Sequence, residues 1–287
     1  MERGDDVKKP GFEKNTSLAE RMKSYEAVND YSLIPRIPVY VRLDGRAFHT
    51  FCRTLKKPFD DDFFKTMKRV TAYLHDETNA LLSYCQSDEI SLVFEMPEKM
   101  PFGTRLFKVQ SVIAGMCSAA FVTFGLDGTR EEFKCRVKKL IPHFDCRVCQ
   151  MSLDETANML LWREQDSIKN SITLLALSHF SNKEIHKKNS AEKIKMLKEL
   201  KNVNYYEVLP EELRNGAYFR RELYDKVLAN EELAKIPAKQ FAYMKKNNDG
   251  KFYVSRSHVV QFSIGMPLAE VVNRVEVLYR NEMPVRK

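Results

Sequence analysis

Apolar residues Val39, Val41 and Leu43 alternate with Tyr40 and Arg42, and the run stops at Asp44-Gly45. Period-two patterning of this kind predicts a strand with one face on the core. Over 60–77 the period changes: Phe63, Phe64, Met67, Val70, Thr71 and Leu74 share one side of a 3.6-residue turn and predict a helix. Two short apolar runs, 80–85 and 90–94, flank Gln86-Ser87-Asp88-Glu89 and predict strands joined by a turn. A second helix is expected over about 104–124, a fourth strand over 144–151 and a long helix over 154–179. Upstream, Ser17-Leu18-Ala19-Glu20 has the form of a capping box that opens a short helix, and Pro35 and Pro38 end helical structure.

The order βαββαβ is that of a split βαβ sheet, in which the third strand lies between the first two and runs antiparallel to the first. The expected fold class is therefore α+β: a ferredoxin-like βαββαβ palm, an antiparallel sheet with flanking helices, plus a helical and hairpin C-terminal extension. Residues 1–16 read as a mobile arm, 17–180 as the palm-like unit and 181–287 as a basic C-terminal region. Within that region, Asn248-Asp249-Gly250 between Phe241-Ala242-Tyr243 and Phe252-Tyr253-Val254 predicts a hairpin.

Composition narrows the class. The 287 residues, 44% hydrophobic, suffice for one large domain or two modest ones. A net charge of +8 ranks polyanions first among partners, although charge alone does not name one. Six dispersed cysteines without a leader-like start fit reduced thiols and a cytoplasmic location. No stretch is expected to supply the roughly 20 apolar residues of a membrane span. Cys146 and Cys149, three apart on a strand, point to opposite faces and make a poor metal pair. There is no G-x-x-x-x-G-K-[ST] run.

Asp44 ends the first predicted strand, and Asp88-Glu89 open the third. Taken singly, these are a strand-ending turn and a solvated loop. Taken with the topology, they meet, and clustered carboxylates at strand ends are costly unless a cation holds them. Hard oxygen ligands favour Mg²⁺, and a pair of ions roughly 4 Å apart is the arrangement of phosphoryl-transfer centres.

The runs Arg42-Leu43-Asp44-Gly45-Arg46-Ala47-Phe48-His49, Lys57-Pro58-Phe59-Asp60, Tyr84-Cys85-Gln86-Ser87-Asp88-Glu89, Phe144-Asp145-Cys146-Arg147 and Trp162-Arg163-Glu164-Gln165-Asp166 stand in the order of the tRNA-His guanylyltransferase superfamily. The chain resembles its bacterial and phage branch, over about 17–222. The resemblance implies an enzyme that extends tRNA at its 5′ end, in the 3′-to-5′ direction, with Mg²⁺ as cofactor, ATP and GTP or other nucleoside triphosphates as substrates, and a homotetrameric assembly. Asp44 and Asp88 become the principal metal ligands with the Gly45 carbonyl, and Glu89 supports them. Gly45, Arg46, Ala47 and Phe48, through their amides, join His49, Lys57 and Ser87 at a nucleotide. Arg105 and Lys108 match positions that hold a further triphosphate or the RNA 5′ end. Asp145 and Arg147 organise the site.

Arg163, Asn170, Lys187 and Lys188 are candidate tRNA contacts, the last two in the lysine-rich stretch 182–202. That stretch reads equally as a solvated helix with Ile194, Leu197 and Leu200 facing a core. The chain departs from the tRNA-His enzymes in one place: Ile168-Lys169-Asn170-Ser171 stands where they carry His-Ile-Asn-Asn. This favours the branch that repairs truncated tRNA 5′ ends. The alternatives are a palm-type nucleotidyl cyclase and a non-catalytic RNA-binding module on the same topology.

Overall fold

The computed structural model describes residues 17–28, 30–237 and 244–287. The expected arm over 1–16 and the expected hairpin strand Phe241-Ala242-Tyr243 lie outside them. Ser17 caps α1 (Leu18–Ala27), accepting from the Glu20 amide while Glu20 reaches back to the Ser17 amide. Strands β1 (Val39–Gly45), β2 (Leu82–Gln86), β3 (Glu89–Phe94) and β4 (Phe144–Gln150) follow in the expected order. Between them come α2 (Phe48–Phe51), α3 (Asp61–Thr78), α4 (Leu106–Leu126) and α5 (Glu131–Leu140). Then follow α6 (Leu153–Leu177), α7 (Asn182–Ile185) and α8 (Ser190–Lys201).

β3 lies between β1 and β2 and is antiparallel to both, and β4 flanks β1 on its other side. Three further strands extend the sheet: β5 (Ala217–Val227), β6 (Lys245–Lys246) and β7 (Phe252–Phe262). The result is one seven-stranded antiparallel sheet in the order β4-β1-β3-β2-β5-β7-β6. The eleven-residue β5 is absent from the sequence expectation. Only its start, Ala217-Tyr218-Phe219, is buried; the charged remainder lies at the surface, so no alternation marks it.

Each face of the sheet has its own core. Val39, Val41, Leu43, Ile90 and Leu92 pack with Met67, Val70 and Leu74 of α3 and with Ile113 and Phe121 of α4. On the opposite face, Tyr40, Leu82, Tyr84 and Val93 pack with Ala157 and Leu160 of α6 and with Val277 and Leu278 of helix Arg274–Arg280. Each such buried side chain contributes about 1.5–3 kcal/mol of transfer free energy. A third cluster, including Ile172, Leu175, Phe180, Leu197 and Tyr205, ties α8 to the C-terminal half of α6.

Two expectations need correction. α4 is long and apolar enough to cross a membrane, which no segment was expected to be. A third of its apolar window is buried in this fold, and small residues such as Gly115 and Ala119 occupy the opposite side. Leu200 does not face the core with Leu197 but is 65% exposed, at the end of α8 where the chain turns through Asn202 in a left-handed cap.

Glu164 on α6 is almost completely buried, and it accepts from the Leu268 amide at 2.6 Å and from the Tyr218 hydroxyl at 3.3 Å. Burial pushes its carboxyl from the ordinary 4.5 up to about 8. The folded chain thus keeps a proton that the unfolded chain releases, so this group's stabilisation is full below pH 4.5 and is lost as pH rises through 8. Urea unfolding should show stability falling by about 5 kcal/mol across that window. Glu164→Gln should flatten the profile; an unchanged pH dependence in the variant would remove Glu164 as its source.

Candidate active site

Register decides which side chains meet. Because β1 runs between β3 and β4, Asp44 stands opposite Glu89 on one side and Asp145 on the other. The Gly45 amide donates to the Asp88 carbonyl at 3.1 Å, which draws the β2–β3 turn against the end of β1. Ser87 enters that turn in the left-handed region, at φ +48°, and its hydroxyl donates to Asp88 Oδ1 at 3.0 Å. Burial raises the Asp88 carboxyl above its usual range, and the nearby Asp44 charge raises it further. Burial and then Asp44 also raise Asp145. Among the described residues, neither Asp44 nor Asp88 has an ion-pair partner.

This donor set fits Mg²⁺: two close carboxylates with hard oxygens and no protein cation to neutralise them. No group of three or more His, Cys, Asp or Glu able to hold a metal occurs among the described residues. An ion held by this pair therefore also needs backbone carbonyl and non-protein oxygens.

Glu89 is engaged differently. Arg163 Nε donates to it at 2.6 Å and Arg42 Nε lies 3.9 Å away, both within the sheet's α6 face. Arg163 also donates to Asp166 at 3.0 Å, and Asn170 donates to the same carboxylate at 3.3 Å. The polar stripe of α6 is thus a clamp, and the buried Arg163 guanidinium points inward at Glu89. Trp162 beside it is half exposed, with the Arg163 guanidinium 4.4 Å and that of Arg42 5.7 Å from the ring centroid.

The turn after Asp44 is fastened from below. A Cβ on Gly45 would come within 2.3 Å of the Phe48 ring, so only glycine lets that ring enter the core. There it packs on Phe51, Phe121 and Phe144 at 5.0–5.4 Å between centroids. Of the four amides expected at a phosphate, those of Gly45 and Arg46 donate to Asp88 and His143 carbonyls. The Ala47 and Phe48 amides, at the start of α2, have no such bond.

A cleft of about 600 Å³ opens beside Asp88 and gathers His49, Lys57, Ser87 and Asn170 along its walls. Lys57 Nζ donates to the Cys52 carbonyl at 3.1 Å. The 52–60 loop is held by Asp60, which caps α3 and pairs with Arg130, while Arg136 binds the Phe51 carbonyl. Sequence reasoning missed Arg130, Arg136 and the cleft-lining Ser167. Nothing in their spacing marks them, since their partners are distant in the chain.

Arg105 and Lys108 are not brought to this cleft. Arg105 pairs with Asp30 at 2.9 Å and bridges to Ser32; nearby, Ile34 bonds Gln150, which sits opposite Val39. That is the far end of β1 from Asp44, roughly 17 Å away along the strand. Lys187 is exposed and Lys188 half-buried after α7, and neither lines the cleft.

The family model for tRNAHis guanylyltransferase matches residues 19–152. A solved bacterial tRNA(His) guanylyltransferase (Thg1)-like protein in complex with ATP is 34% identical, with a TM-score of 0.63 over 72% of this chain and 87% of that one. The chain belongs to the tRNA-His guanylyltransferase family. Membership makes it a tRNA-processing nucleotidyltransferase. A second bacterial Thg1-like family structure, in complex with GTP, is 26% identical with a TM-score of 0.63, covering 92% of this chain and 98% of its own. The probable tRNA(His) guanylyltransferase of Drosophila melanogaster is 33% identical over 109 residues, only 37% of its length.

Removing Arg163 leaves the buried Glu89 charge with only the longer Arg42 contact, at 3.9 Å. Arg163→Met should lower stability by about 3–5 kcal/mol in urea unfolding, and adding Glu89→Gln should restore most of the loss. A loss under about 1 kcal/mol for Arg163→Met would show that Glu89 does not depend on Arg163.

Proposed function

We propose that this family member extends tRNA at its 5′ end in the 3′-to-5′ direction, on a ferredoxin-like palm, and that its task is templated repair of truncated ends. The observation that carries this reading is the Asp44–Asp88 pair, crowded and without an ion-pair partner among the described residues, beside a cleft of about 600 Å³ walled by Lys57, Ser87 and His49. Asp44, Asp88 and the Gly45 carbonyl would hold two Mg²⁺ ions, which when bound neutralise phosphate charge and lower the pKa of an attacking hydroxyl.

The chain's own groups do the rest. The Ala47 and Phe48 amides orient triphosphate oxygens, the Ser87 hydroxyl holds Asp88, and Lys57 places positive charge where a leaving pyrophosphate gains negative charge. His49 lies on the cleft wall within reach of a base or ribose. Glu89, opposite Asp44, is fixed by Arg163 and Arg42. In the activation step the tRNA 5′-monophosphate attacks the α-phosphate of ATP, forming an adenylylated end and releasing pyrophosphate. The 3′-hydroxyl of an incoming nucleoside triphosphate then attacks the activated 5′ phosphate, forming the new phosphodiester and expelling AMP. No side chain becomes covalent; positioning and electrostatics supply the acceleration.

The run Ile168-Lys169-Asn170-Ser171, of which Asn170 and Ser171 line the cleft, favours tRNA substrates other than tRNA-His. Assembly into a homotetramer has a surface available to it. α1 buries none of its residues, and its Leu18, Met22 and Tyr25, with Val28 beyond, are exposed one above another.

Purified chain with Mg²⁺, ATP, labelled GTP and a tRNA lacking its first nucleotide should yield a tRNA one nucleotide longer. Asp44→Ala or Asp88→Ala should reduce extension at least about a thousandfold while tRNA binding persists. Cyclic nucleotide in place of extended tRNA would overturn the reading, as would near-normal rates in either variant.

A further inference from the structure

Arg214 stands out among the cations outside the carboxylate site. It is half-buried, its Nε is buried without any hydrogen-bond partner, and no carboxylate pairs with it among the described residues. The two acidic residues just before it are engaged elsewhere. Glu212 pairs with Lys68 at 2.8 Å, and Glu211 accepts from the Ser263 hydroxyl and the Gly265 amide. The guanidinium lies instead over two rings, 5.3 Å from the centroid of Tyr206 and 6.0 Å from that of Tyr205. Tyr205 is buried and anchored through its hydroxyl to Ser171 at 2.8 Å, whereas Tyr206 is 61% exposed.

These residues adjoin the cleft. The Arg214 carbonyl accepts from Ser167, and Ser167, Ser171 and Leu213 line the cleft wall. On the far side, α8 leads directly into the Tyr205–Tyr206 turn and carries Lys193, Lys195, Lys198 and Lys201. An exposed aromatic edge, a fixed guanidinium with free donors and a basic helix are the parts of a single-strand nucleic-acid contact: the ring stacks a base and the guanidinium takes a phosphate oxygen. Arg221 also has a buried Nε without a partner, but it pairs with Asp76 through Nη2 at 2.6 Å, whereas Arg214 has no carboxylate partner among the described residues.

We propose that Arg214 and Tyr206 form a contact for one unpaired RNA nucleotide beside the cleft, Arg214 binding its phosphodiester and Tyr206 stacking its base. This rests on reading the chain as an enzyme of RNA 5′ ends. The ligand class is single-stranded RNA adjoining a duplex, which a tRNA lacking its first nucleotide presents at its unpaired 3′-side residues.

The test measures binding of that tRNA by fluorescence anisotropy across roughly 50 to 200 mM KCl, with thermal unfolding of every variant alongside. Arg214→Met should weaken binding and lower the salt slope by about one, the loss of a single phosphate contact. Arg214→Lys should keep the slope. Tyr206→Ala should weaken binding about tenfold with the slope unchanged, and Tyr206→Phe should restore it. An unchanged slope in Arg214→Met, or unchanged affinity in Tyr206→Ala, overturns the proposal; should Arg214→Met fail to fold, the tyrosine pair decides it. If wild type extends the tRNA and the variants bind normally, only this contact fails. If the variants lose binding although wild type does not extend, the contact stands and the 5′-extension reading falls.

Discussion

Everything at the site follows from one placement: Asp44 lies in the middle strand of three, with an acidic residue opposite it on each side. Like charges directly across a sheet are destabilising, and the sheet answers them unequally. Glu89 is answered by two arginines. Asp145 has a loose partner in Arg147 at 3.6 Å, both half exposed. Asp44 and Asp88 receive no protein cation among the described residues. The fold thus stabilises the periphery of an acidic cluster and leaves its centre to be neutralised from outside.

The two cores serve this arrangement from opposite faces. The Phe48 aromatic cluster draws the chain after Asp44 toward α3 and α4. On the other face, Tyr40 donates to or accepts from Ser91 at 2.7 Å, and α6 settles over the strands with Arg163 aimed at Glu89. The active-site geometry is consequently a property of packing on both sides of the sheet. A cavity on either side loosens the carboxylates without touching them.

The four strands of the first half, with α3, α4 and α6, were legible from alternation in β1 and β4, from short apolar runs about the 86–89 turn in β2 and β3, and from helical-length apolar segments. Asp44, Asp88, Lys57 and His49 were legible as motifs, and the register and the cleft show how they converge. What the sequence hid has a common cause. Arg130, Arg136 and Glu164 act through partners separated from them by tens of residues or more, and no local pattern encodes those pairings. β5 was hidden because most of it lies on the surface, where a strand needs no alternation. Arg105, expected at a further triphosphate or the RNA 5′ end, stands at the N-cap of α4, at the opposite end of β1 from Asp44, where it pairs with Asp30.

The chain has a single tryptophan, and it is the ring covered by the Arg163 and Arg42 guanidiniums that hold Glu89. The only indole emission of the whole protein therefore originates one side chain away from the acidic centre. Any event that redistributes charge among Asp44, Asp88 and Glu89 alters the field on that one fluorophore. The protein carries a built-in optical probe of its acidic cluster, readable without a label and without a second tryptophan to dilute it.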